Sequence, residues 1–314
     1  MKWILLLAAP LAPGSLLALV QLGDISAMAR PAGLPYDSVG QIANLDNGAI
    51  TNVEGSGLYL GGGWVLSAEH VRNRDGITFD GINFFNRVTT PMQVAPGVDL
   101  EVFRISGDPG VPAINLPTSG IEMGGSNAYL VGAGLGGNDA AFGTEGDNIY
   151  RWERPAEKRW GINELENDVL AGGLYTYSVS YDDGNYTAIA TVAGTEAGGG
   201  VGEAETSPAL FDSGSGLFQQ INGTWYAVGL TTIVSRRAAP DATTFGEDVI
   251  TTDLVSDGEG GTVPAPVTGV GGGDYALYVR LSEYSDDILM KIPEPSLHPL
   301  LALGMLLPLL RRTG

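Results

Sequence analysis

Cysteine is absent from this sequence of 314 residues, and lysine and histidine are nearly absent. Because no disulfide can form, a buried core has to supply the stability even if the chain is exported to an oxidising compartment. The lysines are Lys2, Lys158 and Lys291, and the histidines are His70 and His298. Any reaction that needs an imidazole as acid or base therefore has two candidates.

Positive charge is scarce as well. The sequence has 36 Asp and Glu residues against 16 Lys and Arg, which gives a formal charge of −20 at pH 7. A field of that sign repels phosphate backbones and anionic lipid surfaces. We therefore expect no nucleic-acid partner.

Glycine, in contrast, is abundant, with 47 residues. Short runs of Val, Ile, Leu and Tyr alternate along the chain with clusters of Gly, Asn and Asp. This pattern is typical of many short β-strands joined by tight turns. The length allows one large domain or two small ones.

The N-terminus has the layout of a signal peptide over residues 1–29. Lys2 precedes an apolar stretch over residues 3–20, and Ala27-Met28-Ala29 supplies a small-x-small cleavage site. A buried N-terminal helix is the alternative, but prolines and a glycine interrupt the apolar stretch. We therefore predict that the chain is exported.

The C-terminus, residues 292–314, has three parts. Pro293-Glu294-Pro295-Ser296 is followed by an apolar segment over residues 297–310 and then by Arg311-Arg312. This layout resembles the PEP-CTERM sorting signal of Gram-negative bacteria. The resemblance implies that the secretion machinery and an exosortase are partners during export, with delivery to the cell surface or the extracellular matrix. Because the apolar segment is short for a full span, the membrane contact that it implies is transient.

The stretch GGGWVLSAEHV, residues 61–71, predicts a glycine turn, a short strand and a tight corner that carries His70. Two later segments supply other groups that acyl transfer uses: DLEVFRI begins with Asp99, and DSGSGLF contains Ser213. In this order, the three segments resemble the His, Asp and Ser regions of trypsin-like (chymotrypsin-fold) serine proteases. Glu69 stands where that family usually has alanine.

Other segments continue the resemblance. Residues 128–134 are similar to the strand that opens the second barrel of this family, residues 227–232 to the strand after the nucleophile, and residues 278–288 to the closing strand and C-terminal helix. The resemblance covers most of residues 40–291. It implies an all-β fold of two packed six-stranded antiparallel β-barrels with a short C-terminal helix.

The resemblance also implies a domain organisation. A trypsin-like protease domain spans residues 30–291, between the signal peptide and the sorting signal. The boundary between its two barrels is expected near residues 120–128. Residues 256–274 are rich in Gly, Pro and Asp and are interpreted as a long insertion before the closing strand.

The family chemistry assigns a role to each side chain. A serine hydroxyl attacks a peptide carbonyl, an imidazole takes its proton, and a buried carboxylate orients the imidazole. The resemblance therefore implies Ser213 as nucleophile, His70 as general base and then general acid, and Asp99 as the orienting carboxylate. It implies an exported serine endopeptidase that cleaves protein or peptide substrates through an acyl-enzyme, without a metal or organic cofactor.

Two of these assignments have alternatives in the sequence. Asp99 opens an apolar strand and could serve as a capping turn residue, and Asp75, Asp80 and Asp108 are other carboxylates in the same part of the chain. Ser213 lies in DSGS, which is a common turn composition. Only spatial convergence separates these readings.

The clearest departure from the family lies two residues before the serine. The backbone N–H groups of Phe211 and Ser213 are the expected oxyanion hole, but relatives carry glycine at the first position. If that position needs a backbone conformation open mainly to glycine, phenylalanine is strained or flips the peptide. Loss of one oxyanion donor costs about 10²–10³ in kcat. The alternative function is therefore a catalytically weak or inactive protease-fold protein that binds a surface or matrix partner.

Four residues are expected to contact substrate. Ser207 occupies the floor of the primary pocket, where a Lys/Arg-cleaving relative has aspartate, and Thr232 lies on the strand that borders the substrate. Val234 and Ala276 replace glycines in the pocket wall. We therefore expect no Lys/Arg preference and a small or medium apolar side chain in the pocket.

Activation in many relatives depends on a freed N-terminus, which pairs with the aspartate before the serine. That aspartate is Asp212 in this sequence. Cleavage after Ala29 leaves Arg30-Pro31 as the new terminus, which does not resemble the terminus of those relatives.

Overall fold

The computed structural model describes residues 20–21, 28–71, 74–117, 126–134, 136–138, 148–153, 157–165, 175–181, 184–195, 206–208, 211–233, 242–245, 250–256, 262–267 and 274–292. Most of the predicted signal peptide lies outside the described residues. The predicted sorting signal from residue 293 onward lies outside them entirely. Among the helices of these ranges, none is long and apolar enough to cross a membrane.

The first part of the chain forms a seven-stranded antiparallel sheet, in the order β6-β5-β2-β3-β4-β8-β7. The strands of this part are β1 (Val20–Gln21), β2 (Val39–Asp46), β3 (Ala49–Gly61), β4 (Trp64–Ser67), β5 (Gly76–Thr78), β6 (Phe84–Asn86), β7 (Met92–Gln93) and β8 (Glu101–Arg104). β1 lies outside this sheet.

Six of these strands close into a ring. The chain just after β6 meets the chain just after β8 at the antiparallel bridge between Arg87 and Ile105. Next to the bridge, Val88 N–H donates to Arg104 O at 2.8 Å and Ser106 N–H donates to Asn86 O at 2.8 Å. β6, β5, β2, β3, β4 and β8 therefore form the first barrel, and β7 is added to β8.

The second part forms a larger antiparallel sheet, in the order β12-β9-β16-β17-β21-β14-β13-β20-β19. The elements of this part are β9 (Asn127–Gly132), β10 (Gly136–Asn138), β11 (Asn148–Glu153), β12 (Arg159–Leu165), β13 (Tyr175–Tyr181), β14 (Gly184–Thr195), β15 (Thr206–Ser207), β16 (Gly216–Ile221), β17 (Thr224–Ile233), β18 (Ala242–Phe245), β19 (Ile250–Ser256), β20 (Thr262–Val267), β21 (Asp274–Arg280) and the helix α1 (Ser285–Lys291).

A second ring of six strands closes within this sheet. β12 pairs with β14 as well as with β9, through Glu164 opposite Gly194 and Leu165 opposite Ala193. β12, β9, β16, β17, β21 and β14 therefore form the second barrel. Outside this ring, β13 pairs with β14, and β20 and then β19 continue the sheet from β13. The strands β10-β11-β18 and β1-β15 form two small separate sheets. The predicted all-β class, with two antiparallel sheets and a short C-terminal helix, is confirmed.

The predicted insertion at residues 256–274 contains a strand that the sequence analysis did not anticipate. β20 pairs with β19, for example through Ser256 opposite Thr262. Threonine and valine in β20 favour extended backbone, whereas the overall Gly/Pro content of the segment suggested a loop. Residues 257–261 and 268–273 lie outside the described part of the chain.

The apolar core runs through the first barrel and across its contact with the second. Within the first barrel, Leu58, Leu66 and Val102 are fully buried, and the same cluster includes Phe218 and Val279 from the second barrel. A smaller cluster fills the second barrel interior, formed by Ala128, Leu130, Leu165, Leu217, Val228 and Tyr278. Burial of each large apolar side chain stabilises the fold by about 1.5–3 kcal/mol. This packing fixes the two barrels against each other, and the loops between them carry His70, Asp99 and Ser213.

Candidate functional site

His70 lies on a turn that the core of the first barrel holds in place. β4 ends at Ser67, and a single 3-10 turn spans Glu69–Val71. Val71 N–H donates to Ala68 O at 3.2 Å, and both of these apolar side chains are buried. The turn therefore fixes the backbone on both sides of His70, while the imidazole side chain keeps 15% of its surface exposed.

Asp99 lies in a compact loop before β8. Val98 N–H donates to Ala95 O at 3.1 Å, and Val94 N–H donates to Leu100 O at 2.9 Å. The side chain of Leu100 is fully buried beside it, and the Asp99 side chain has no exposed surface. A carboxylate so far from water needs hydrogen-bond donors close by.

Ser213 lies in the loop before β16, and backbone hydrogen bonds tie this loop to both barrels. Ser56 N–H, on β3, donates to Ser213 O at 2.7 Å, and Gly214 N–H donates to Thr231 O, on β17, at 2.8 Å. Gly214 has φ +85°, and a Cβ atom at this residue would lie 2.0 Å from Ser56 O. Only glycine allows the two backbones to approach so closely.

The structure brings these three side chains together. His70 Nδ1 lies 2.7 Å from Asp99 Oδ2, and His70 Nε2 lies 2.8 Å from Ser213 Oγ. Asp99 Oδ1 also accepts the backbone N–H of His70 at 3.0 Å. Because an ionised carboxylate only accepts hydrogen bonds, Nδ1 carries the proton, and Nε2 is left to accept from the Ser213 hydroxyl. This arrangement allows a proton to pass from the hydroxyl to the imidazole.

None of the three rival carboxylates is in the position of Asp99. Asp75 accepts the backbone N–H of Leu45 at 2.9 Å, and Asp108 accepts the hydroxyl of Tyr59 at 3.1 Å. Asp80 closes a surface turn, where the N–H groups of residues 82 and 83 donate to it and lower its pKa to about 2. All three therefore have their own structural contacts on the first barrel.

Phe211 adopts the backbone conformation that its position was expected to impose. Its φ is +70°, in the left-handed region that glycine populates readily and bulky residues avoid. Such a conformation costs about 1–3 kcal/mol for a residue with a side chain. The strain lies two residues from Ser213, in the loop whose N–H groups are the expected oxyanion hole.

The structure describes three of the four residues that are expected to contact substrate. Thr232 lies on β17 and is almost fully buried. Ser207 lies on β15, where its backbone pairs with Val20 of β1, and Ala276 lies on β21 opposite Ala193. Val234 lies outside the described residues. Their contact with substrate remains a prediction.

Three buried serines around the nucleophile loop were not found from the sequence. Ser56 Oγ accepts Ala133 N–H at 3.2 Å and the Ser215 hydroxyl at 3.3 Å, while Ser67 Oγ donates to Ser56 O at 2.8 Å. All three side chains have no exposed surface. The signal that could have found Ser56 is its place between Gly55 and Gly57 in a strand, because glycines there mark a close backbone approach.

Within the described residues, no group of three or more acidic or histidine side chains is placed to hold a metal ion. His70, Asp99 and Ser213 bring an imidazole, a carboxylate and a hydroxyl into one hydrogen-bonded chain.

Comparison with known proteins gives structural neighbours only. No protein-family profile matches the chain, and no curated protein matches it. Among solved structures, the chain is similar to the inactive form of the Rv3671c protease, with a TM-score of 0.42 and 13% identity over 82% of this chain and 89% of that one. A mutant of Rv3671c from M. tuberculosis H37Rv, also in an inactive form, gives a TM-score of 0.40 and 15% identity over 63% and 78% of the two chains. The fold assignment rests on the strand pairing of the chain itself.

Proposed function

We propose that this protein is an exported serine endopeptidase in which Ser213 attacks the peptide bond, His70 transfers the proton and Asp99 orients the imidazole. One observation carries the proposal: His70 Nε2 lies 2.8 Å from Ser213 Oγ while His70 Nδ1 lies 2.7 Å from the fully buried Asp99 carboxylate. These residues come from distant parts of the chain, and a turn serine or a capping aspartate would not require such convergence.

The proposed reaction begins when Ser213 Oγ attacks the carbonyl carbon of the substrate and His70 Nε2 takes the hydroxyl proton. The C–N bond then breaks as His70 returns that proton to the leaving amine, which leaves an acyl group on Ser213. His70 Nε2 then takes a proton from a water molecule that attacks the acyl carbon. It returns this proton to Ser213 Oγ as the ester bond breaks, and the acyl group leaves as a carboxylic acid. The buried Asp99 stabilises the imidazolium in both steps, because a charge in a low-dielectric site acts strongly on its neighbour.

A second candidate function is binding without cleavage. The observation that favours it is the strained φ of +70° at Phe211, in the loop that must supply the oxyanion donors. Relief of this strain by rotation of the peptide would turn one N–H away from the oxyanion and slow turnover by about 10²–10³. The protein would then act as a surface or matrix binding protein with the same fold.

Covalent labelling separates these two functions without knowledge of the substrate. A fluorophosphonate forms a phosphorus–oxygen bond with an activated serine and releases fluoride. We expect the wild type to be labelled, and Ser213→Ala and His70→Ala to remain unlabelled. Ser106→Ala is the matched control, because Ser106 lies on the first barrel and should leave labelling unchanged. Folded wild-type protein that never labels would favour the binding function.

Export, sorting and substrate preference are further parts of the proposal. The small-x-small site at Ala27-Met28-Ala29 and the PEP-CTERM-like end support export to the Gram-negative envelope and transient anchoring. Ser207 at the expected pocket floor argues against a Lys/Arg preference, because it is not a carboxylate. Val234 and Ala276 at the expected pocket wall support cleavage after small or medium apolar residues. A panel of chromogenic peptides should show this preference, and a clear Arg/Lys preference would refute it.

A further inference from the structure

Asp212, which directly precedes Ser213, is a fully buried carboxylate. Its Oδ1 accepts Gly134 N–H at 2.8 Å and lies 3.4 Å from the Ser215 hydroxyl. The N–H and the hydroxyl are both neutral, and a cation close by stabilises a buried carboxylate further. The group that compensates this charge matters for activity, because a change in the position of Asp212 also moves the neighbouring Ser213.

The sheet register places Arg159 on the same side as this carboxylate. Arg159 on β12 is directly opposite Gly132 on β9. Paired residues in antiparallel strands point their side chains to the same face. A Cβ atom on Gly132 would lie 2.3 Å from Asp212 Oδ1, so the carboxylate occupies the space next to Gly132 on that face. Arg159 and Asp212 therefore face the same end of the second barrel interior.

The Arg159 side chain is largely buried and forms an ion pair. Its side chain keeps 9% of its surface exposed, and Nη2 donates to the half-exposed Glu157 carboxylate at 2.8 Å. Nη1 is buried and has no hydrogen-bond partner among the residues that the structure describes. Burial lowers the pKa of Arg159 to about 10, while the carboxylates of Glu157 and Asp212 oppose this shift, so the guanidinium is charged at neutral pH.

The other candidate for compensation is an N-terminal ammonium, and the structure does not favour it. Ala29 and Arg30, on either side of the predicted cleavage site, are exposed, whereas Asp212 is fully buried. The following segment is fixed on the outside of the second barrel, where Trp225 Nε1 donates to Ala32 O at 3.1 Å. A terminus at residue 30 would have to leave these surroundings to reach Asp212.

We propose that Arg159 is the internal counter-charge of Asp212, a positioning residue that holds the Ser213 loop in its reactive conformation without an ammonium from a freed N-terminus. This inference rests on the proposed function, since it explains how that site is kept ready. It predicts that the chain is reactive as soon as it folds.

The test is the rate constant of fluorophosphonate labelling in the full chain. We expect Arg159→Gln to react about tenfold more slowly than wild type, with part of the rate restored in Arg159→Lys, which keeps the charge. Glu157→Gln is the matched control: it removes the exposed partner of Arg159 and should leave the rate unchanged. An N-terminal extension should also leave it unchanged. Labelling that appears only after proteolysis of the N-terminus would overturn the inference.

A double-mutant cycle separates failure of this inference from failure of the proposed function. If wild type labels and Arg159→Gln labels equally fast, the inference is wrong and the protease proposal stands. If wild type does not label even after proteolysis of the N-terminus, the proposed function fails, and urea unfolding decides the inference. We then expect Arg159→Gln to lower the unfolding midpoint less in an Asp212→Asn background than in wild type. Additive midpoint shifts would overturn the pairing. If Arg159→Gln alone does not fold, recovery of folding in the Asp212→Asn background supports the pairing and failure to recover overturns it.

Discussion

The two halves of the candidate site are held in place by different interactions. His70 and Asp99 stand on the first barrel, where buried apolar residues such as Val71 and Leu100 fix the backbone beside them. Ser213 stands on a loop of the second barrel whose contacts are hydrogen bonds, from Ser56 N–H and to Thr231 O. Packing thus positions the base, and polar contacts position the nucleophile. Substitution of the polar residues that support the Ser213 loop should therefore weaken the second half of the site.

The largest effect is expected for Asp99→Asn in the first half. Asparagine fits the same space but donates to His70 Nδ1 instead of accepting from it, so Nε2 holds the proton and cannot accept from Ser213. We expect kcat/KM to fall by about 10⁴ with little change in fold. Steady-state hydrolysis of a cleaved peptide measures this change.

The control for Asp99→Asn is Asp108→Asn. Asp108 is one of the rival carboxylates and accepts a hydrogen bond from the Tyr59 hydroxyl. This variant should keep its activity. Equal losses in the two variants would mean that Asp99 acts through general electrostatics and not through its contact with His70.

Ser56→Ala should give the next largest effect, and it tests the hydrogen bonds that support the Ser213 loop. The Ser56 hydroxyl holds Ala133 N–H and the Ser215 hydroxyl, and its loss leaves both buried groups without this partner. We expect the free energy of unfolding to fall by about 1–2 kcal/mol. Urea denaturation measures it, and the labelling rate of Ser213 should fall in parallel.

Ser38→Ala is the matched control for Ser56→Ala. Ser38 is equally buried, but its hydroxyl has no hydrogen-bond partner in the described part of the chain. Its removal should change stability by less than about 0.5 kcal/mol. A larger loss in Ser38→Ala than in Ser56→Ala would contradict the importance of the polar supports.

Phe211→Gly should stabilise the protein, because glycine accepts a φ of +70° without the steric cost that phenylalanine carries. The entropy of glycine in the unfolded chain offsets part of this gain. We expect a net rise of about 1 kcal/mol in the free energy of unfolding, measured by urea denaturation. Asn222, at φ +51°, is the control, since asparagine tolerates this region and Asn222→Gly should gain little. A loss of stability in Phe211→Gly would show that its side chain contributes more than the backbone strain costs.

The smallest effect is expected for Asp80→Asn, in the surface turn of the first half. The folded-state pKa of Asp80 lies at about 2, below its usual 3.8, because of the N–H groups that donate to it. Its contribution to stability is therefore present above pH 3.8 and is lost as the pH falls through 2. Because Asp80 is exposed, we expect wild type to exceed the variant by less than about 1 kcal/mol at pH 5. Urea unfolding at pH 5 and pH 2 should show the difference shrinking, and a constant difference would contradict this origin.

The sequence predicts the parts of the molecule that follow a local pattern. The strand-and-turn pattern is enough for the all-β class, and three short segments are enough to select His70, Asp99 and Ser213 as the residues that converge. The strain at Phe211 is also predictable, because it depends on one residue type at one backbone position.

The parts that could not be predicted depend on contacts between distant strands. The Arg87–Ile105 bridge that closes the first barrel and the β12–β14 pairing that closes the second carry no local signal. Arg159 belongs to no local motif, and only its register opposite Gly132 shows that it faces the barrel interior. The strand at residues 262–267 was hidden by the glycines and prolines around it.

The central claim is that the Ser213 hydroxyl is a nucleophile because His70 takes its proton. The most direct measurement is the pre-steady-state release of p-nitrophenolate from p-nitrophenyl acetate at neutral pH, since an acyl-enzyme produces a burst. The account predicts a burst of about one p-nitrophenolate per wild-type chain, and no burst in Ser213→Ala or His70→Ala. A burst that persists in folded Ser213→Ala, or that is missing from folded wild type, would contradict it.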